Sequence, residues 1–424
     1  MTRRVEAPRT PAQRLSPLLL IVLGLLAALT PFAIDMYLPS IPAIARDLNA
    51  GIELAQLSVT VYLGVFAASQ LVLGPLSDVH GRRAIIGVGL AVFVVADIGC
   101  ALAPSMPVML FARAVQAIGG AAVAVTIPAL VRDLFDKDDY ARVMGMVMLV
   151  MALAPLVAPS LGGLIILHGS WRWVFAVLLL ITLIAAALFF RILPETLQAH
   201  RRHPLAVSHI LGNYWRLLRH RVALGYLLTG AASFGGMMIF IVTSPYVYIE
   251  LHGVPEQYFG LLFGVNVLLA MLFSFANARL VPRFGSERLL SVGLTVQGIA
   301  TLPLLAIALL PQAPLIWIAL AAACYIAMAG MVLGNAMAGF MSFFASMAGT
   351  ASAFTGAVRF GFGALAGSAV SLLHDQSARP LVLGMAVCGL LANVVYRAMC
   401  YYGAAERVST RAAVPRTGAD GAGG

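Results

Sequence analysis

Between two long apolar blocks, residues 74–83 read Gly-Pro-Leu-Ser-Asp-Val-His-Gly-Arg-Arg. Glycine tolerates positive φ, so Gly74 and Gly81 are predicted to permit a tight turn here. Arg82 and Arg83 are predicted to hold this turn at the cytoplasmic face, since basic residues concentrate in the cytoplasmic loops of membrane proteins. A plain basic turn would need neither glycine. The segment therefore predicts a specific loop between two membrane helices.

Long apolar blocks continue in both directions from this segment until they cover most of the chain. The 424 residues are 61% hydrophobic and only 10% charged, whereas about a quarter of the residues in a soluble domain carry charge. A helix needs roughly 20 apolar residues to cross a bilayer, and it satisfies its own backbone hydrogen bonds there. The blocks therefore predict an all-α membrane protein with twelve transmembrane helices. The predicted spans are residues 16–40, 53–76, 84–103, 107–131, 142–167, 171–193, 222–249, 257–280, 288–310, 314–337, 350–373 and 379–402.

Basic residues decide the predicted orientation of these spans. With the N-terminus taken as cytoplasmic, 22 of the 27 Lys and Arg residues fall in cytoplasmic segments and tails, and three fall in outer loops (Arg46, Arg172 and Arg379). The other two, Arg113 and Arg359, lie inside spans. This bias follows the positive-inside rule and predicts that both termini are cytoplasmic. A nucleic-acid partner is not expected, because the charges are dispersed among loops and form no basic face.

The longest loop, residues 191–221, divides the spans into six and six. We predict an N-terminal six-helix bundle over residues 1–195, a cytoplasmic linker over 196–221, and a C-terminal six-helix bundle with a tail over 222–424. Within the linker, apolar residues recur at helical spacing and two arginines lie off that face. This pattern predicts an amphipathic helix on the inner membrane surface, and it is compatible with a simple tether between the bundles.

The two halves resemble one another in sequence. The counterpart of residues 74–83 is Ala-Asn-Ala-Arg-Leu-Val-Pro-Arg-Phe-Gly at 276–285, again after the second span of its half. Repeats related by an axis along the membrane normal place a substrate site at their interface, near the middle of the membrane. The sequence therefore predicts a transporter whose cavity lies between the two halves.

Ionisable residues inside spans are costly and mark function by default. Asp35, Asp97 and Arg113 each lie five or six residues from the outer end of their span, so all three are expected about 8–9 Å below that edge. A nearby arginine favours the charged form of a carboxyl group, whereas burial favours the neutral form. One acid can pair with Arg113 while the other exchanges a proton, and we predict Asp35 as the proton carrier. Structural roles are the alternatives, and Asp97 could also reach water at its helix end.

The Asp78 carboxylate is predicted to meet the N-terminus of the eleventh helix, where the helix macrodipole favours negative charge. Thr350 is the predicted N-cap of that helix, and Asp133 is a predicted acceptor for Arg82. This contact would latch the inner side shut in the outward-open state.

The fifth span contains Ala-Pro-Leu-Val-Ala-Pro-Ser-Leu-Gly-Gly at 154–163. Pro155 and Pro159 each remove a backbone donor and are predicted to kink the helix. Gly162 and Gly163 would let this helix lie close to another and form a pliant seal. An ordinary kinked span is the alternative.

Aromatic and polar side chains within the spans are the candidates for the cavity wall. We predict this wall to include Tyr37, Tyr62, Gln116, Phe240, Tyr246, Asn266 and Arg359. An apolar wall with few directional groups suits many uncharged or weakly polar molecules. Close packing is the alternative for Arg359, which has phenylalanines and glycines beside it.

Several motifs are missing from the sequence. There is no Gly-x-x-x-x-Gly-Lys-Ser/Thr phosphate loop, so ATP is not expected to power this protein. No His-Glu-x-x-His or Gly-x-Ser-x-Gly motif is present, and the four cysteines show no metal or disulfide spacing. Neither an enzyme activity nor a bound cofactor or metal is expected.

Three of these segments resemble motifs of the major facilitator superfamily. Residues 74–83 look like its cytoplasmic signature loop, and residues 113–120 are similar to its fourth-helix motif with a buried arginine. Residues 158–163 resemble its fifth-helix antiporter motif, with Ala158 where glycine is usual. The resemblance implies two six-helix bundles that alternate access to a central site.

Three further segments look like the Bcr/CflA (bicyclomycin/chloramphenicol resistance) family within that superfamily. They are Ile-Asp-Met-Tyr-Leu-Pro at 34–39, Leu-Pro-Glu-Thr-Leu at 193–197 and Ala-Gly-Thr-Ala-Ser-Ala at 348–353. This likeness implies drug/proton antiport in a bacterial inner membrane, with export of small antibiotics such as bicyclomycin.

The same resemblance implies proton-linked roles for Asp35 and Arg113, whereas Asp97 lies outside the family pattern and is assigned from its depth alone. The proton motive force would then drive transport, and the expected partners are small-molecule drugs, protons and the lipid bilayer, with the chain acting as a monomer. A proton-coupled exporter of a metabolite or an amino acid such as cysteine is the alternative, since it would share the fold and the motifs.

Overall fold

A computed structural model describes residues 16–196, 207–310, 312–344, 347–373 and 375–401. Within these residues the fold is built from helices and contains no β-strand. The α-helices are α1 Pro17–Asp35, α2 Ile41–Asp47, α3 Ile52–His80, α4 Arg82–Ala101, α5 Met106–Leu134, α6 Lys137–His168, α7 Arg172–Ile192, α8 Val207–Arg219, α9 Arg221–Pro245, α10 Glu256–Phe284, α11 Ser286–Ala308, α12 Leu315–Met341, α13 Ala348–Leu372 and α14 Arg379–Tyr396.

Twelve of the described helices are long and apolar enough to cross a membrane, which confirms the prediction of an all-α protein with twelve spans. The first of these spans runs from Pro17 to Asp47 and includes the short helix α2, whereas the short helix α8 belongs to none of them. Both α3 and α10 run four residues beyond their predicted ends, to His80 and Phe284. Hydropathy falls where a helix leaves the hydrocarbon, but its backbone hydrogen bonds can continue into the interface.

This extension corrects the prediction for Gly74, which lies with Pro75 inside α3 and forms no turn. The turn after α3 falls at Gly81 alone, whose φ of +99° is disfavoured for any residue with a side chain. Gly285 joins α10 to α11 with a φ of +79°. The two glycines are 204 positions apart and occupy the same place in their halves, so one turn geometry recurs between the second and third spans.

The two halves meet through two equivalent pairs of helices. Between them, α3 packs against α13, and α6 packs against α10. Since α3 and α10 are the second spans of their halves and α6 and α13 the fifth, one contact maps onto the other under a two-fold relation. Small residues permit close approach within each half: a Cβ on Gly119 of α5 would lie 2.6 Å from the Gly89 carbonyl oxygen of α4.

Helix α8 lies between the halves and contacts both. The Tyr214 hydroxyl donates to the Leu71 carbonyl oxygen of α3 at 3.1 Å, and its ring stacks on Phe354 of α13 at 5.4 Å. Leu211 and Trp215 point away from the protein and are exposed. Parts of the predicted linker and tail, at residues 197–206 and 402–424, lie outside the described residues.

Candidate substrate cavity and charged network

A cavity of about 1450 Å³ separates the two halves. It begins at the face that carries both ends of the described chain, which is called the inner face after the predicted orientation, between the ends of α3, α5 and α13 at that face. It reaches Asp35 near the opposite, outer end of α1. Asp35 lies 18 residues along α1 from Pro17, or about 27 Å. The cavity therefore extends through most of the membrane thickness from one side.

Apolar side chains form most of the deep cavity wall. Aromatic and sulfur-containing side chains contribute from both halves: Phe66, Phe234, Phe240, Phe263, Phe360, Met144, Met148, Met151, Met237, Met238 and Met271. Three of these methionines follow helical spacing along one face of α6, and this spacing is the sequence signal that could have identified them. Methionine is flexible and polarizable, so such a wall adapts to ligands of different shapes.

Asp35 is the carboxyl group of the deep cavity wall, and its side chain is 4% exposed. In the described part of the chain no ion pair or hydrogen bond to its carboxylate is formed. The charged groups Asp78 and Arg132 line the same cavity near its mouth, at the inner ends of α3 and α5. A buried carboxyl without a partner favours its neutral form until water or a ligand reaches it.

Arg113 lies outside the cavity wall, in the interior of the N-terminal half, and is fully buried. Its guanidinium is sandwiched between the rings of Tyr37 and Tyr62, at 4.4 Å and 4.5 Å from their centroids. These cation–π contacts hold the charge where water is excluded. The Tyr37 hydroxyl shares a hydrogen bond of 3.0 Å with Ser58, which fixes one of the two rings.

Asp97 joins Arg113 through one side chain. Arg113 Nη1 donates to Gln116 Oε1, and Gln116 Nε2 donates to Asp97 Oδ1 at 2.5 Å. Thr182 of α7 donates to Asp97 Oδ2 at 3.1 Å. Asp97 is fully buried, so the alternative of a carboxylate that reaches water at a helix end is wrong. The structure brings Asp97 and Arg113 together and leaves Asp35 on the cavity.

Two of the seven residues predicted to line the cavity, Phe240 and Asn266, do line it. The assignments of Tyr37, Tyr62 and Gln116 are corrected, because these side chains surround Arg113 inside the N-terminal half.

Tyr246 and Arg359 are corrected as well. Tyr246 lines a separate small crevice with Gln56 and Thr243 near the outer face. Arg359 donates from Nη2 to the Leu333 carbonyl oxygen of α12 at 2.7 Å, so its guanidinium is engaged in packing between α13 and α12.

The inner ends of α3 and α5 are joined around Arg82, which is 3% exposed. Its guanidinium contacts Asp78 at 2.6 Å and Asp133 at 3.2 Å, so the predicted contact with Asp133 forms. Its backbone N–H donates to Glu195 at 3.1 Å. Arg83 donates to the Phe190 carbonyl oxygen at 3.0 Å. The segment is therefore tied into its own half on three sides.

The predicted latch between Asp78 and α13 is open. Asp78 and the first residues of α13, Ala348–Thr350, line the cavity from different halves, and the Asp78 carboxylate contacts Arg82. The N-cap position of α13 is Met347, which corrects the assignment of Thr350 to that role. Thr350 lies one turn inside, at the position where a closing contact would still find free N–H groups.

Close backbone contacts seal the outer side instead. A Cβ on Gly162 would overlap the Met36 carbonyl oxygen beside α1, and a Cβ on Gly163 would lie 2.8 Å from the Glu256 carbonyl oxygen of α10. In return, a Cβ on Gly260 of α10 would lie 2.5 Å from the backbone of Ser160. Pro155 and Pro159 lie inside α6, which continues through both. The glycines thus let α6 touch both neighbours at this level.

Ion pairs between the halves close the outer surface above these contacts. Arg46 of α2 pairs with Glu250 and, at 3.3 Å, with Glu256. Arg46 and Glu250 are 204 positions apart, the same interval that separates the two turn glycines. Asp47 holds α2 to its own half through Arg172 at 2.5 Å.

The sequence of this chain is similar to those of known proteins. A sequence profile described as Major Facilitator Superfamily matches residues 23–371. The chain is 36% identical to the bicyclomycin resistance protein homolog of Haemophilus influenzae over 385 residues, which cover 91% of this chain and 96% of that protein. It is 36% identical over 285 residues to a chloramphenicol resistance protein of Pseudomonas aeruginosa, covering 65% of this chain and 64% of that one.

A solved structure shares the fold. The xylose transporter of Escherichia coli, in a partially occluded inward-open conformation, matches with a TM-score of 0.69 at 15% identity, covering 89% of this chain and 96% of that chain. At this identity the likeness concerns the arrangement of helices alone.

Proposed function

This chain belongs to the Major Facilitator Superfamily, and we propose that it is a proton-coupled exporter of small antibiotics across the bacterial inner membrane. Family membership makes it a multi-pass transporter of that membrane rather than an enzyme. The relatives named for bicyclomycin, chloramphenicol and multidrug resistance support drug export. Proton coupling and bicyclomycin as a substrate are our proposals.

One observation supports the proposed proton coupling. The deep cavity wall contains a carboxyl group, Asp35, that forms no ion pair in the described chain. In the conformation with the cavity open to the inner side, Asp35 can bind a drug only in competition with a proton. Release of the proton to the inside and capture of a drug from the inside are then the same event. Such competition gives antiport when the protein alternates only with a proton or a drug bound.

The difference between the two sides of the protein supports alternating access. The outer side is held by the α6 glycines and by Arg46 with its two glutamates, while the inner latch at Asp78 is open. Rocking of one half against the other would exchange these states, and Asp35 would then face the outside. Inward proton flow supplies about 2.3 kcal/mol per charge per 100 mV, in addition to the pH term.

Uphill drug transport into everted vesicles tests this proposal. Everted vesicles with an imposed pH gradient would be given bicyclomycin or chloramphenicol, with wild type, Asp35→Asn and Asp375→Asn compared. Asp375 is an exposed carboxyl on an outer loop, hydrogen-bonded to Ser377, and its variant is expected to transport as wild type does. Asp35→Asn is expected to abolish uphill transport because its amide cannot exchange a proton. Uphill transport by Asp35→Asn would overturn the assignment.

A second arm separates drug export from metabolite export. Cells that lack this protein are expected to become several-fold more sensitive to one of the two antibiotics. Unchanged sensitivity together with intracellular retention of cysteine or another metabolite would favour the alternative.

A further inference from the structure

We infer that Asp97 is the fixed counter-ion of Arg113 and a positioning residue for transport, and that it is not a second proton carrier. This inference rests on the proposed function and concerns how charge is divided inside the N-terminal half. It assigns the two buried acids of that half to different roles. The orientation of Gln116, the isolation of Asp97 from the cavity and the balance of charge support it.

The orientation of Gln116 is set by Arg113. A guanidinium only donates hydrogen bonds, so the amide oxygen of Gln116 must face Arg113, as it does. The amide nitrogen is thereby turned toward Asp97, where it donates to Oδ1 at 2.5 Å. Asp97 Oδ1 is therefore an acceptor. Because Arg113 fixes the amide of Gln116 in this direction, the N–H of that amide points at Asp97. This hydrogen bond stabilises the ionised form of Asp97.

Asp97 has no route for a proton to the cavity. It is fully buried and is absent from the cavity wall, whereas Asp35 lines that wall. One hydrogen-bonded path from Asp97 leads through the amide of Gln116 and then to Arg113. The other leads to the Thr182 hydroxyl, which also contacts the Leu178 carbonyl oxygen of its own helix, away from the cavity wall. An arginine in a protein stays protonated and cannot relay a proton. A carrier must exchange its proton with each side in turn, and this arrangement prevents it.

The buried charge of Arg113 explains why an ionised acid is needed at Asp97. Arg113 is fully buried, and its Nη2 makes no hydrogen bond in the described chain. Its neighbours Tyr37 and Tyr62 provide ring faces but no full negative charge. A buried cation left without a counter-ion is strongly unfavourable. Asp97, one side chain away, supplies that charge without occupying Asp35, which keeps the cavity carboxyl free to take and lose its proton.

Charge relocation tests the inference. Asp97→Asn keeps the size and the acceptor of the side chain but removes its charge. Asp97→Asn/Gln116→Glu moves a carboxylate directly onto Arg113 and restores the charge. Thr182→Val removes the hydrogen bond on the other side of Asp97 and leaves the charge in place. If Asp97 is the counter-ion, uphill antibiotic efflux should fall about tenfold or more in Asp97→Asn, recover in the double variant, and change little in Thr182→Val.

Proton release separates a counter-ion from a carrier. Addition of bicyclomycin or chloramphenicol to purified protein in weakly buffered detergent should release protons from wild type and, at saturating antibiotic, the same number from Asp97→Asn. It should release none from Asp35→Asn. Loss of release in Asp97→Asn with retention in Asp35→Asn would overturn the inference and make Asp97 the carrier. Absence of release in wild type would instead contradict the proposed coupling.

Thermal unfolding keeps the inference falsifiable even if neither antibiotic is a substrate. The midpoint of Asp97→Asn should fall below that of Thr182→Val, and the double variant should recover most of the loss. If Asp97 were neutral, an asparagine would be nearly isosteric and the midpoint would not change. An unchanged midpoint, or failure of Gln116→Glu to restore it, would refute the counter-ion role.

Discussion

At Gly162 the backbone of α6 lies directly against the chain that follows α1, where a side chain would overlap the Met36 carbonyl oxygen. Gly162→Ala is expected to force these elements apart and to lower the thermal midpoint, since overpacking costs about 1–3 kcal/mol. Gly145→Ala lies on the same helix with open space at its Cα and should be neutral or slightly stabilising. Thermal unfolding in detergent compares the two, and equal midpoints would contradict a tight seal.

The depth of individual residues could be predicted from sequence, but the direction of their side chains could not. Counting along a helix places Arg113 well inside the membrane, and it is buried there. The same reasoning assigns Tyr37 and Tyr62 to the cavity, but their rings cover Arg113 instead. When every face of a helix is apolar, periodicity gives no direction. Only packing shows which aromatic ring meets the cation and which carboxyl meets the cavity.

At the scale of elements, the short helix α2 connects the two halves across the outer surface. Its Arg46 binds two glutamates of the other half, although the arginine side chain is 60% exposed. Exposed ion pairs contribute only about 0.2–1 kcal/mol. Arg46→Glu replaces attraction by repulsion. It is therefore expected to raise the population of molecules with an open outer side roughly fivefold, without unfolding the protein.

Labelling of a buried outer residue measures this opening. Ser40 is fully buried next to α2, and Ser40→Cys in a chain with its four native cysteines replaced should react slowly with a membrane-impermeant maleimide. Arg46→Glu should speed the reaction, and Arg46→Glu/Glu250→Arg should slow it again. Equal rates in all three would show that these ion pairs do not hold the outer side.

The number of membrane helices could be predicted from hydropathy, but the residues at which some of them end could not. Twelve spans follow from hydropathy, because lipid requires long apolar helices. The inner ends of α3 and α10 do not follow from hydropathy, since polar residues such as Asp78 can continue a helix into the headgroup region. The sequence consequently predicts a turn that uses both Gly74 and Gly81, whereas the positive φ falls at Gly81 alone.

For the whole molecule, the open cavity predicts a large movement at the inner face. Asp78 and Thr350 lie on the walls contributed by different halves. In a chain without native cysteines, Asp78→Cys/Thr350→Cys should form a disulfide only when the inner side closes, because the Cα atoms must come within about 7 Å. Oxidation should stop efflux and reduction should restore it. Efflux unchanged by complete cross-linking would contradict closure at this latch.

The ion pair between Arg46 and Glu250 joins equivalent positions of the two repeats. A residue that meets its own symmetry mate must lie at the dyad, as in any isologous contact. Two copies of the first half would bring arginine against arginine there, and two copies of the second would bring glutamate against glutamate. Opposite charge at this one position therefore makes the outer seal specific to the pairing of unlike halves: separately expressed halves should assemble as heterodimers in preference to homodimers.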